Sequence, residues 1–248
     1  MDLVQAAFLG ILQGIAEWLP VSSQGQVIVA AMHLLGITEE LAFRYAVFLH
    51  VGTLIAAIVY FRRDLVEIAG MKDRRMLWFL GLGLIGSALT AAPAYLLIKQ
   101  VLQAPFALML VIGVALLLTG FLQFGKRAGQ EFAGKKAGFL TGLAQGFSVV
   151  PGISRSGVTT AALLVQGFSP EKAFSLSFIL SIPSVLLAEI AFGLVEGISF
   201  EANALAAVAV AALVGFVSID FLLKLARRIN FGWFAIGFGL LYLAIAFV

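Results

Sequence analysis

Three stretches of this chain, residues 76–98, 104–125 and 231–248, contain no Asp, Glu, Lys or Arg and are almost wholly apolar. An apolar run of about 20 residues is what a helix needs to cross the hydrocarbon core of a bilayer. Three more windows of this kind lie at 41–61, 173–195 and 202–223. Composition agrees: 62% of the residues are hydrophobic and 12% charged, against roughly 45–50% and about 25% in a soluble domain. So little charge cannot cover a water-facing surface, which excludes a soluble globular enzyme. The apolar and polar residues do not alternate as the strands of an outer-membrane barrel require. The expected class is an all-α polytopic membrane protein. With no cysteine, disulfides, thiolate metal sites and a cysteine nucleophile drop out.

The loops orient the chain. Arg62, Arg63, Lys72, Arg74 and Arg75 fall in one, Lys126, Arg127, Lys135 and Lys136 in the next, and Lys224, Arg227 and Arg228 in a third. The intervening loops hold Lys99, or Glu196 and Glu201. The positive-inside rule makes the basic loops cytoplasmic, which puts six spans in register and both termini on the outer face. The net charge of +3 is explained by those loops, so no nucleic-acid partner is expected. The N-terminus lacks a basic leader, and Gln13 and Glu17 interrupt its apolar run, unlike a cleavable signal peptide.

Two further stretches are apolar but broken. Residues 3–35 contain GILQGIAEWLPVSSQGQ, and residues 137–167 contain GLAQGFSVVPGISRSGVTT. Pro20 and Pro151 remove a donor and interrupt the helix, and the following glycines, Gly25 and Gly157, permit tight backbone. Each stretch is expected to form a re-entrant helical hairpin. Irregular backbone at membrane depth is tolerated only when packed in protein or lining a wet cavity. The two stretches also match each other: Gly10, Gln13 and Gly14 recur as Gly142, Gln145 and Gly146, and Pro20 and Ser23 as Pro151 and Ser154. LGITEELAF (35–43) aligns with QGFSPEKAF (166–174), with Thr38 and Ser169 as N-caps. The expected architecture is therefore an inverted-topology repeat, about 1–130 and 131–248, forming one membrane domain. Each half holds one hairpin and three spans, which makes six transmembrane helices plus two re-entrant hairpins. The G-x-x-x-G at 10–14 and 142–146 is expected to serve close helix packing.

Ionisable groups at membrane depth are expensive and mark function. Glu17 precedes the first break and Arg155 lies within the second. Around them stand Ser22, Ser23, Gln26, Ser154, Ser156, Thr159 and Thr160. A half-helix N-terminus and a guanidinium together suit a phosphate. A carboxylate beside hydroxyls suits activation of a nucleophile or the holding of a divalent cation. Glu17 and Arg155 also fit a buried ion pair that merely fixes the packing. His33 and His50 read as structural. Asp220 and Lys224 read as a helix-end pair, Arg44 as snorkelling outward, and Glu189 has no evident partner.

Gln13-Gly-Ile-Ala-Glu17, followed by Leu-Pro-Val-Ser-Ser, and Pro151-Gly-Ile-Ser-Arg-Ser-Gly-Val-Thr159 resemble the two signature motifs of the undecaprenyl-diphosphate phosphatase family of the bacitracin-resistance type. The resemblance covers the whole chain. It implies an enzyme of the plasma membrane that converts a polyprenyl diphosphate to the monophosphate and inorganic phosphate. That reaction recycles the lipid carrier for cell-surface glycan synthesis. The implied cofactor is a divalent cation, Mg²⁺ or Ca²⁺. It implies Glu17, Ser23 and Arg155 as catalytic, with Ser23 as nucleophile and Glu17 also as a metal ligand. Gln13, Ser22, Gln26, Ser154, Ser156 and Thr159 would bind substrate. The implied partners are the lipid diphosphate and the bilayer, with homodimerisation left open. One position departs: the family pattern x-G-H after the serines reads Gln24-Gly25-Gln26 here, and glutamine cannot act as a base. The alternative is a polyprenyl-phosphate transporter or flippase that binds without hydrolysing.

Overall fold

The computed structural model describes residues 2–98, 105–122, 124, 133–150, 152–196, 202–225, 228–230 and 232–246, and among these every regular element is helical. Pro151 and the loop charges Lys99, Lys126, Arg127, Glu201 and Arg227 lie outside the described residues. The first helix, α1 (Leu3–Ala16), starts on a capping box in which Asp2 accepts from the Gln5 N–H and Gln5 accepts from the Asp2 N–H. After a turn at 17–22, α2 (Ser23–Val29) continues into a π-helical stretch, Ala30–Leu34. Next come α3 (Glu39–Phe48), α4 (His50–Tyr60), α5 (Arg62–Ala69), α6 (Arg74–Ile98) and α7 (Pro105–Leu122). The second half holds α8 (Lys135–Gly146), a 3-10 turn at Phe147–Val149, α9 (Arg155–Val165), α10 (Pro170–Glu196), α11 (Ala202–Leu225) and α12 (Gly232–Ala246).

Four helical segments are long and apolar enough to cross a membrane: Glu39–Tyr60, Arg74–Leu96, Pro170–Leu194 and Ala202–Leu225. Helices α7 and α12 fill the other two expected windows, although their described apolar stretches, Leu110–Leu122 and Ala235–Ala244, are shorter. Leu89, Leu96, Leu194 and Val217 point outward and are each more than half exposed. This is a membrane protein.

Helix association in lipid depends on close packing, because lipid tails are as apolar as leucine. The two G-x-x-x-G sequences supply it. A Cβ at Gly10 would lie 2.5 Å from the Ala207 carbonyl oxygen, and one at Gly14 would lie 2.9 Å from the Gly215 nitrogen. Helix α1 thus runs along α11. Added carbons at Gly138 and Gly142 would overlap the backbone of Phe79 and Gly83, so α8 runs along α6. In both pairs the contacts advance together along the two helices, and the pairs are parallel. Polar bonds repeat the same pattern. Gln145 donates to Ser87 and Ser184, both at 2.8 Å, and Gln13 donates to Thr53 at 3.5 Å. Gly113 and Gly120 of α7 meet Gly239 and Gly232 of α12 in antiparallel fashion.

The expected helix-end features mostly hold. Lys224 donates to Asp220 at 2.6 Å, and Arg44 reaches Glu40 at 3.2 Å on the exterior. Thr38 takes the extended N-cap backbone but makes no side-chain capping bond. The first turn is anchored by Trp18, which is fully buried among Leu54, Ala57, Phe178 and Ile219. Its ring lies 5.0 Å from that of Phe178, and its Nε1–H donates to the Gly215 carbonyl at 3.2 Å. This wedges the chain between α4, α10 and α11, immediately beside Glu17.

Candidate active site

Helix α1 ends at Glu17, and the chain reverses through Pro20, which has no N–H to continue a helix. Ser22 completes the reversal in the left-handed region, with φ +58° and ψ 82°. A non-glycine residue held there costs roughly 1–3 kcal/mol. That turn aims Ser23, the first residue of α2, back at the end of α1. Its hydroxyl donates to Glu17 Oε2 at 2.6 Å.

The second turn arrives from the other half of the chain. Gly152 has φ +94°, and a Cβ there would overlap Ile112. Ser154 caps α9, its Oγ accepting from the Gly157 N–H at 3.2 Å. Ser156 donates to the Leu19 carbonyl at 2.8 Å, and Ser154 donates to the same oxygen at 3.4 Å. The two turns therefore touch. Arg155, the first residue of α9, crosses that contact, and its Nη2 pairs with Glu17 Oε1. Its Nη1 is buried with no hydrogen-bond partner among the described residues.

Glu17 is almost fully buried, and four groups surround it. Gln13 Nε2 lies 2.9 Å away, Ser23 Oγ 2.6 Å and His50 Nε2 3.4 Å, and the fourth is Arg155. Beside it opens a cavity of about 50 Å³ lined by Glu17, Ser22, Ser23, Ser154, Arg155 and Ser156. One water needs roughly 10–15 Å³ by the same measure, so the cavity is sized for a phosphate group or a few waters. Its lining combines an anion-binding guanidinium, hydroxyl donors, and a hydroxyl held against a carboxylate. That set can grip a phosphate and present a nucleophile to it.

A family model described as "Bacitracin resistance protein BacA" matches residues 6–241. Relatives carrying the name undecaprenyl-diphosphatase match almost end to end. The protein of Methanococcoides burtonii is 38% identical, covering 97% of each chain. That of Methanothrix thermoacetophila is 36% identical, covering 99% of this chain and 97% of its own. That of Sulfurisphaera tokodaii is 31% identical over 93% and 92%. The chain belongs to the bacitracin resistance protein BacA family.

Of the nine residues that the family resemblance implies as catalytic or substrate-binding, six meet at the cavity of this BacA-family chain. The other three do not line it, because their side chains hold the frame together instead. Gln13 braces Glu17. Gln26 Nε2 donates to the Val21 carbonyl at 3.0 Å and so ties down the first turn. Thr159 donates to the Arg155 carbonyl at 2.7 Å and shares a 2.5 Å bond with Ser177, joining α9 to α10.

Three polar lining residues are not among those the sequence singles out: Gln24, Ser148 and His50. The first two sit within the broken segments and carry no signal of their own. His50 carried one, as an ionisable side chain inside an apolar span. The sequence reads it as a structural histidine bonded to a neighbouring helix, and the structure places it beside Glu17. His33, by contrast, is exposed at the end of the π-helical stretch.

The divalent cation expected at Glu17 does not fit these residues as arranged. Glu17 already accepts from Gln13, Ser23 and Arg155, and a cation placed on it would meet the fixed positive charge of that guanidinium. Among the described residues no three His, Cys, Asp or Glu side chains cluster to form a cation cage.

Proposed function

We propose that this chain is a plasma-membrane phosphatase that hydrolyses a polyprenyl (undecaprenyl-type) diphosphate to the monophosphate and inorganic phosphate, recycling the lipid carrier used in cell-surface glycan synthesis. The name shared by its relatives supports this. The observation that carries it is the Ser23 hydroxyl, 2.6 Å from a buried carboxylate that is itself paired with a half-satisfied guanidinium. A transporter would need the anion grip but has no use for a hydroxyl held against a base.

In this mechanism the terminal phosphate occupies the cavity. Arg155 Nη1 donates to its oxygens, and the Ser154 hydroxyl, whose 3.4 Å bond to the Leu19 carbonyl is the longer of the two there, turns to do the same. Ser23 Oγ attacks phosphorus while its proton passes to Glu17. The bond from phosphorus to the bridging oxygen breaks, and the prenyl monophosphate leaves with that electron pair and takes up the proton. Water then attacks the phosphoserine and gives a proton to Glu17. The bond between Ser23 Oγ and phosphorus breaks, and the proton returns to Ser23. Arg155 stabilises the charge that builds on the phosphoryl oxygens in both halves.

The architecture belongs to the same proposal: two inverted repeats, about 1–130 and 131–248, with six spans and two re-entrant hairpins. The reciprocal packing of α1 on α11 and of α8 on α6 supports it. So do the matched bonds Gln13–Thr53 and Gln145–Ser184. The hairpins would then enter from opposite faces and meet at the Ser156–Leu19 contact.

The test is released phosphate from a long-chain prenyl diphosphate, using purified protein in lipid nanodiscs. Wild type is expected to release phosphate and Ser23→Ala to release essentially none. Wild-type protein that binds the lipid phosphate but never cleaves it would return the reading to a transporter.

A further inference from the structure

His50 stands where the span Glu39–Tyr60 is interrupted, directly after the buried Leu49 that separates α3 from α4. Its imidazole helps to line the cavity. Its Nδ1 lies 3.1 Å from the Val47 carbonyl oxygen. A carbonyl only accepts, so that contact requires the proton on Nδ1. In the neutral ring Nε2 is then a lone pair, and it faces Glu17 Oε2 at 3.4 Å. Nε2 is thus placed to take up a proton delivered to that oxygen. The same carboxylate oxygen receives the Ser23 hydroxyl at 2.6 Å.

We propose that His50 is the acid–base partner of Glu17, receiving through that carboxylate the proton that Ser23 gives up. This rests on the phosphatase reading for its chemistry, though not for its geometry. As Ser23 Oγ bonds to phosphorus, its proton moves to Glu17 Oε2 and from there to His50 Nε2. As the bridging oxygen departs with its electron pair, His50 returns that proton by the same path to the leaving monophosphate. The relay has a physical advantage. A proton kept on Glu17 would leave Arg155 without its counter-charge inside the membrane, which is costly for a buried pair. A proton on His50 keeps Glu17 anionic between two cations. The 3.4 Å separation suits a contact that tightens once substrate is bound.

The charged groups facing His50 are few. Glu17 comes from α1, with Arg155 of α9 behind it. From α10 comes Glu189, whose electrostatic neighbours are His50 and Glu17. The Asp220–Lys224 pair of α11 meets Tyr60 at the far end of α4. Glutamine at position 26 is no substitute base, since it is spent on the Val21 carbonyl.

The test uses the full chain in nanodiscs. His50→Gln keeps size and hydrogen bonding but cannot carry a proton. It is expected to lower kcat by about 10²-fold, the low end for a positioned acid–base group, with KM little changed. Unchanged kcat, or a raised KM at full kcat, overturns the proposal. If His50→Gln does not fold, ¹⁵N-histidine NMR on His33→Gln protein reads the one remaining histidine directly. Its Nδ1 is expected to carry the proton, and its signals to move when Glu17→Gln is added. A ring protonated only on Nε2, or one indifferent to Glu17→Gln, overturns the proposal. A wild-type protein that releases no phosphate would instead sink the phosphatase reading, leaving the NMR result to decide the His50–Glu17 pairing.

Discussion

Arg155 and Glu17, 138 residues apart in the chain, close one buried ion pair across the contact between two turns. The first turn is held by Trp18 against α10 and α11 of the other half, and the second by Ser154 capping α9. The pair is therefore a junction, and it also leaves Arg155 Nη1 free to hold an anion.

Arg155→Lys is expected to lower phosphate release by about 10²-fold, the usual cost of removing one transition-state donor, while the protein still elutes as folded material. An ammonium is a point charge and cannot reach a carboxylate and a phosphate from two fixed prongs. Turnover at the wild-type rate would remove Arg155 from the phosphate site.

Glu17→Gln is expected to abolish activity, whereas Gln13→Ala reduces it by roughly 10- to 150-fold at most. Gln13 supplies a single 2.9 Å hydrogen bond to Glu17, and a lost bond to a charged group costs roughly 1.5–3 kcal/mol at most. Glu17→Gln also strands a buried guanidinium, for which a stability loss of about 3–5 kcal/mol is expected, so thermal melting should accompany the assay. Equal and mild effects at both positions would reduce the ion pair to a packing device.

Serines 23 and 154 line the same cavity, and the chain has no cysteine of its own. Paired cysteines at these positions are expected to form an intramolecular disulfide in membranes, and a bound prenyl diphosphate to slow it. The bridge requires Cα atoms within about 7 Å. Failure to form it under mild oxidation would argue against a site shared by the two halves.

Gly142→Leu is expected to prevent recovery of folded protein, because its first added carbon already overlaps the Gly83 backbone. Gly81, two residues before Gly83 and so on the opposite, exposed face of α6, meets nothing within 4 Å. Gly81→Ala should be tolerated and should raise stability by up to about 1 kcal/mol through helix propensity. A melt comparison of the two separates close packing from a general intolerance of larger residues.

Mn²⁺ titrated into substrate-free protein and followed by electron paramagnetic resonance is expected to remain in solution, since Glu17 is already surrounded by donors. Tight binding that disappears in Glu17→Gln would show that one of those donors yields to a cation.

Length and hydropathy marked the long apolar helices, because a bilayer demands uninterrupted apolar runs wherever the chain crosses it, whereas the short polar helix α5 lies in what they read as a loop. The two breaks were marked in the sequence as well. Proline and left-handed backbone are local properties, so Pro20 and the serines after it announce a turn wherever the chain goes next. The G-x-x-x-G packing was legible too, since only small residues let two backbones approach in lipid. What the sequence did not carry is the rotation of each helix about its own axis. That rotation sends Thr159 to Ser177 and Gln26 to Val21, away from the cavity, although both belong to the motifs. It also brings His50 from a third helix to within 3.4 Å of Glu17. Motif spacing ranks residues by their neighbours along the chain. The break at Leu49 and the wedge of Trp18 against α10 and α11 are products of packing, and only they decide which side chains face one another.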